Sequence, residues 1–141
     1  MAMTMHVDIV SAEEEIYSGT VEEIYAPAEM GEIGIMPRHS PLVTRMKPGE
    51  VRVKPEGKSE LKSIFVSGGI LEIQPHVVTI LADTGIRAAD LDEAKATEAK
   101  QRAEEALKNR EGDMEYAKAK AELLSAVAQL EILKKIRKEA R

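Results

Sequence analysis

The sequence predicts an α+β protein: an N-terminal antiparallel β-sandwich followed by a C-terminal antiparallel α-helical hairpin. Two observations carry that expectation. From Met5 to about Ala82 the apolar residues recur in short β-branched runs punctuated by glycine and proline. After Asp83 proline disappears, glycine nearly vanishes, and Ala, Glu, Lys and Leu take over. The change divides the chain into a sandwich over residues 1–86 and a hairpin over residues 87–141.

The strand runs are Val7 and Ile9, Val21 and Ile24, Ile33 and Ile35, Val51 and Val53, Ile64 and Val66, Ile70 to Ile73, and Val77 to Ile80. Turn-forming residues stand among them: Gly19, Pro27, Gly31, Pro37, Pro48-Gly49, Pro55 to Gly57, Gly68-Gly69 and Pro75. Short strands at this spacing predict a sandwich or barrel of about eight to ten strands. Val51-Arg52-Val53-Lys54 alternates inward and outward residues with the period of a strand. Aromatic residues make up 3% of the chain and tryptophan is absent, so the core must be built from Val, Ile, Leu, Met and Ala.

In the helical half, Asp90 with Glu93 reads as an N-cap and its capping-box partner, and Gly112-Asp113 marks a second start. The expected helices run from about Leu91 to Asn109 and from about Met114 to Lys138, joined by a turn short enough to force them antiparallel. Ala96, Ala99, Ala103 and Ala106 form a narrow seam on the first helix. Tyr116, Ala119, Leu123, Ala126, Leu130 and Leu133 make the matching stripe on the second. Beside that stripe runs another apolar row, Ala117, Ala121, Leu124, Ala128 and Ile132, which one helical neighbour cannot also cover. The expectation is a weakly held hairpin that docks on other surfaces and can leave them.

The chemistry-bearing residues are sparse. With a formal net charge of -5 and no basic tract interleaved with aromatics, nucleic acid is not an expected ligand. Cysteine is absent, which removes disulfides and thiolate chemistry. His6, His39 and His76 stand apart without spaced cysteine or carboxylate companions, so no metal site is expected. Ser67-Gly68-Gly69 reads as a strand connection rather than an oxyanion loop. Gly31-Glu32-Ile33-Gly34 lacks the Gly-Lys-Ser/Thr of a phosphate cradle. No catalytic residue is assigned and no enzyme is indicated. No apolar run approaches the roughly 18 residues of a membrane span, so any membrane link is expected to pass through another protein.

Specific strings then point to a family. Met1-Ala2-Met3-Thr4, His6 to Ala12, Gly31 to Leu42, Ser67 to Ile73, Val78 to Asp83 and Leu91 to Ala96 resemble, in order and over essentially the whole chain, the epsilon subunits of bacterial F-type ATP synthases. The resemblance implies a non-catalytic central-stalk subunit whose sandwich binds the gamma subunit and sits on the membrane c-ring, coupling the two for proton-driven ATP synthesis. It implies a place at the cytoplasmic face of the bacterial inner membrane, peripheral and within the complex. Glu32, Ile33, Gly34, Arg38 and His39 match the loop that lies at the c-ring side in the family.

The same resemblance implies a hairpin with a compact and an extended position, the latter reaching the alpha and beta subunits and inhibiting ATP hydrolysis. Lys134, Lys135, Arg137 and Lys138, with Arg141, form a basic end suited to acidic segments there and to the helix C-terminal dipole. Some family members bind ATP at the start of the first helix. Leu91, Asp92 and Ala96 match that motif, but Lys95 replaces the expected arginine and loses its planar fork, so ATP binding is expected to be weak or absent. Two other readings fit the residues: a β-sandwich adaptor with a coiled-coil arm in another assembly, and a small hydrolase using a carboxylate pair.

Overall fold

A computed structural model describes residues 3–109 and 112–139. Met1 and Ala2 of the opening string, residues 110 and 111 of the expected interhelical turn, and Arg141 of the basic end lie outside the described residues. The chain divides into two compact units, one ending at Ala88 and the other beginning at Ala89.

The first unit contains β1 (Met5–Val10), β2 (Glu15–Ala28), β3 (Gly31–Ile35), β4 (Leu42–Met46), β5 (Gly49–Pro55), β6 (Lys62–Val66), β7 (Gly69–Ile73), β8 (Val77–Ala82) and β9 (Gly85–Arg87). They form one hydrogen-bonded sheet in the order β1-β8-β7-β4-β2-β5-β6-β9, with β3 paired to β2 and β1 paired to β2 as well. The long β2 joins the layers of the sandwich. Its first half pairs with β1 through Val21, and its second half pairs with β5 and β3. A register shift between Val21 and Glu23 falls where the partner changes, as expected of a bulge that bends a strand.

Alternation along each strand sends one set of side chains inward. Val7, Ile9, Ile24, Val53, Leu71 and Ile80 are fully buried in a core made mainly of Val, Ile, Leu, Met and Ala, each such side chain contributing about 1.5–3 kcal/mol; against expectation the Phe65 ring is buried as well, at 1% exposure. In the Gly68-Gly69 connection, Gly69 has φ +139, and a Cβ there would lie 2.0 Å from the Leu81 carbonyl oxygen. Only glycine fits that crossing.

Several local expectations change. Gly19 and Pro27 lie inside β2 rather than in turns: Gly19 pairs with Val7, and Pro27, which has no N–H, accepts the Lys47 amide at 2.9 Å. Strands β4 and β9 have no counterpart among the predicted runs, because only Met46 of β4 and no residue of β9 is buried, so neither shows an inward alternation. One pairing, β1 with β8, is parallel. That contact joins residues about 70 positions apart, and strand alternation holds no information on it.

A 3-10 turn, Ala88–Asp90, spans the boundary between the units, and the second unit then holds α1 (Glu93–Lys108) and α2 (Asp113–Glu139). Asp90 belongs to that turn and is not the cap. Asp92 is the N-cap, with its Oδ1 accepting from the Ala94 amide at 2.9 Å and the Lys95 amide at 3.2 Å. Ala96 and Ala103 on α1, and Ala119 and Ala126 on α2, are buried at seven-residue steps, the spacing of two packed helices. Ala106, expected on the seam, is exposed. Of the second row on α2, Ala117, Ala121 and Leu124 are exposed, Ala128 is half-buried and Ile132 is buried.

Candidate functional site

Glu32, Ile33 and Gly34 lie on β3, which pairs with β2 from Ala28↔Gly31 to Ile24↔Ile35. Gly31, with φ +134, opens this strand after the Glu29-Met30 turn, and the Met30 side chain at its tip is 99% exposed. Alternation separates the three candidate residues. Glu32 and Gly34 face outward, while Ile33 packs against the core.

The outward face holds a compact polar cluster. Tyr25 on β2 stands opposite Gly34 on one side and Arg52 of β5 on the other. A Cβ on Gly34 would lie 3.3 Å from Tyr25 Cε1, so the glycine makes room for the ring. The Arg52 guanidinium stacks over that ring at 4.7 Å from its centroid. Its Nη2 donates to Glu32 Oε1, and its Nε lies 3.5 Å from Glu50 Oε1. Beside it, Lys54 Nζ meets Glu22 Oε2 at 2.9 Å, a hydrogen bond that raises the lysine pKa.

Arg38 and His39 occupy the β3–β4 loop, beyond the other end of β3. At about 3.3 Å per residue, the strand itself spans roughly 13 Å between its ends, so the five candidate residues form two neighbouring stations rather than one cluster. The His39 amide donates to the Met36 carbonyl at 3.2 Å, closing a turn with Pro37 second and Arg38 third. Arg38 has φ +66, the left-handed conformation that this turn position requires and that glycine usually fills. Its amide donates to the Pro75 carbonyl at 2.9 Å, fastening the loop to the β7–β8 turn. His39 Nδ1 lies 2.7 Å from the Ser40 carbonyl oxygen, a contact in which the ring nitrogen donates.

At the start of α1, Asp92 Oδ1 is engaged by the two amides it caps, Ala96 is buried, Lys95 is exposed and Leu91 is half-buried. The basic end of α2 has Lys134, Lys135, Arg137 and Lys138 exposed. Arg137 Nη2 donates to Glu93 Oε2 at the first turn of α1. Among the described residues no group of three or more His, Cys, Asp or Glu side chains is placed to hold a metal ion.

Two features escaped the sequence. Arg52 was legible only as an outward residue, since its stacking partner and its carboxylates are set by register. The outer face of β4, β7 and β8 carries exposed Val43, Ile70, Val77 and Leu81, with Arg45, Ile70 and Leu81 in one cross-strand row and Val43 in the next. Val43 is 67% exposed, and such apolar clustering on a sheet face marks a surface suited to a partner.

Comparison with known proteins follows the same division of the chain. Residues 4–88 match the family described as ATP synthase, Delta/Epsilon chain, beta-sandwich domain, and residues 89–134 match ATP synthase, Delta/Epsilon chain, long alpha-helix domain. The chain is 67% identical over 140 residues to the ATP synthase epsilon chain of Nitrosococcus oceani, with 99% of each chain covered. It is 62% identical over 141 residues to that of Thioalkalivibrio sulfidiphilus, with 100% of each covered. Its fold is similar to a chain in the Euglena gracilis mitochondrial ATP synthase structure of OSCP, F1 and c-ring, at TM-score 0.81 and 20% identity, covering 92% of this chain and 81% of that one. From strand order to helical tail, the chain belongs to the ATP synthase delta/epsilon chain family.

Proposed function

We propose that the chain works as the epsilon chain of an F-type ATP synthase: a non-catalytic rotor subunit joining gamma to the c-ring, with a detachable helical arm that restrains ATP hydrolysis. The observation that carries this reading is the end-to-end kinship with bacterial epsilon chains of the same length, covering sandwich and hairpin alike. The adaptor and hydrolase readings give way to it.

Each part of the reading has a physical support. Exposed Val43, Ile70 and Leu81 offer gamma an apolar surface on one face of the sandwich. The outward Glu32 and the Arg38-His39 turn offer polar groups to c-ring loops. No described helix is long and apolar enough to cross a membrane, which fits a peripheral place at the cytoplasmic face of the inner membrane. The exposed Ala117, Ala121 and Leu124 leave α2 with apolar area for a second partner, so an extended arm exchanges one buried surface for another at a gap of a few kcal/mol. In that position Lys134, Lys135, Arg137 and Lys138 meet the alpha and beta subunits.

ATP binding at Leu91, Asp92, Lys95 and Ala96 is weak or absent, since Asp92 serves the helix terminus and Lys95 lacks the arginine fork. The test is retention of gamma by the tagged full chain. Wild type retains gamma, and Val43→Glu weakens retention by about tenfold or more through an unpaired charge in the contact. Failure of the wild-type chain to retain gamma overturns the reading.

A further inference from the structure

We propose that Arg52 is a positioning residue for the c-ring contact, holding the Glu32 carboxylate in the orientation in which it meets the ring. The inference rests on the reading that Glu32 faces the ring loops. Glu32 lies on β3, a strand whose pairing is with β2, and its side chain is 54% exposed. A glutamate so placed would sample several rotamers, and ordering it on contact would weaken binding.

Arg52 removes that freedom from the far side of β2. Its guanidinium is held on three sides: by the Tyr25 ring beneath it, by Glu50 Oε1 at Nε, and by Glu32 at Nη2. The Arg52 side chain is only 23% exposed, so the donor is anchored while its acceptor faces outward. The geometry depends on a row across three strands, Arg52, Tyr25 and Gly34, in which the missing side chain of Gly34 admits the ring. A planar fork with a stacking face is required here, which lysine does not provide.

The experiment measures the affinity of the full chain for the rotary assembly stripped of it, with the ring and, separately, for the head and gamma without the ring. Variants are Glu32→Gln, Arg52→Gln, Arg52→Lys and the double substitution E32Q with R52Q. With the ring present, E32Q and R52Q each weaken affinity by about fivefold, the double variant is no worse than either single one, and R52K recovers only part of the loss. Without the ring all variants match wild type.

If E32Q weakens binding but R52Q does not, the positioning role is overturned and the ring-facing reading of Glu32 stands. If E32Q has no effect, that reading itself falls and the inference falls with it. Losses that add in the double variant, or that persist without the ring alongside a lowered melting temperature, mark Arg52 as a stabilising residue and overturn the proposal. Full recovery by R52K shows that a point charge suffices and also overturns it.

Discussion

Arg137 in the last turn of α2 pairs with Glu93, the first residue of α1, so an ion pair clasps the two ends of the hairpin. The contact closes the arm at the point farthest from its turn, where the helices would otherwise fray first. It also occupies one of the cations assigned to the inhibitory contact. In the proposed extended position, Arg137 would exchange this internal carboxylate for an external one.

Glu93→Gln should loosen the clasp. Both side chains are more than half exposed, so the loss is about 0.2–1 kcal/mol at low salt. Thermal melting of the helical signal should show it, and the difference from wild type should shrink toward zero near 1 M salt, where screening acts over about 3 Å.

Arg38 places a non-glycine side chain in a left-handed turn position. Arg38→Gly should relieve about 1–2 kcal/mol of local strain, offset in part by roughly 0.4–1 kcal/mol of added unfolded-chain entropy. The expected net result is a sandwich more stable by up to about 1.5 kcal/mol in denaturant titration, yet one that binds the c-ring-containing assembly less tightly.

Asp8 on β1 accepts the Ser18 hydroxyl at 2.7 Å, and its pKa is lowered from 3.8 chiefly by that bond, against a rise from burial, with His6 lowering it further. A depressed carboxylate contributes stability that is present above its unfolded value and lost as pH falls through its folded value. Ser18→Ala should shift the Asp8 carboxyl titration upward toward 3.8, read by carbon NMR. The variant should differ from wild type in stability near neutral pH, and the difference should fade in acid.

How much of this was legible in the sequence depended on whether a feature is local. The switch from a strand-rich half to a helical half is a matter of period and composition, and the architecture follows it, although strand β9 lies beyond the compositional break at Asp83 and α1 begins only at Glu93. The cap does not follow, because Asp90 and Asp92 both precede Glu93 within a few residues and only the 3-10 turn that takes in Asp90 decides between them. Strand β4 was hidden because only Met46 of its residues is buried, so no inward alternation shows. The candidate loop was legible as a string, but its division into an outward Glu32, an inward Ile33 and a separate Arg38-His39 turn comes from the pleat and from backbone geometry. Arg52 joins the site only through register across β2, a long-range property that no run of residues encodes.

The central claim is that one chain combines a coupling sandwich with a removable inhibitory arm, and truncation separates the two. The most direct measurement is ATP hydrolysis and ATP-driven proton pumping, followed together, by the assembled enzyme carrying either the full chain or a chain ending at Ala88. The account predicts faster hydrolysis with the shortened chain while pumping is retained. Unchanged hydrolysis would contradict the inhibitory arm, and loss of pumping would contradict a sandwich that couples gamma to the ring by itself.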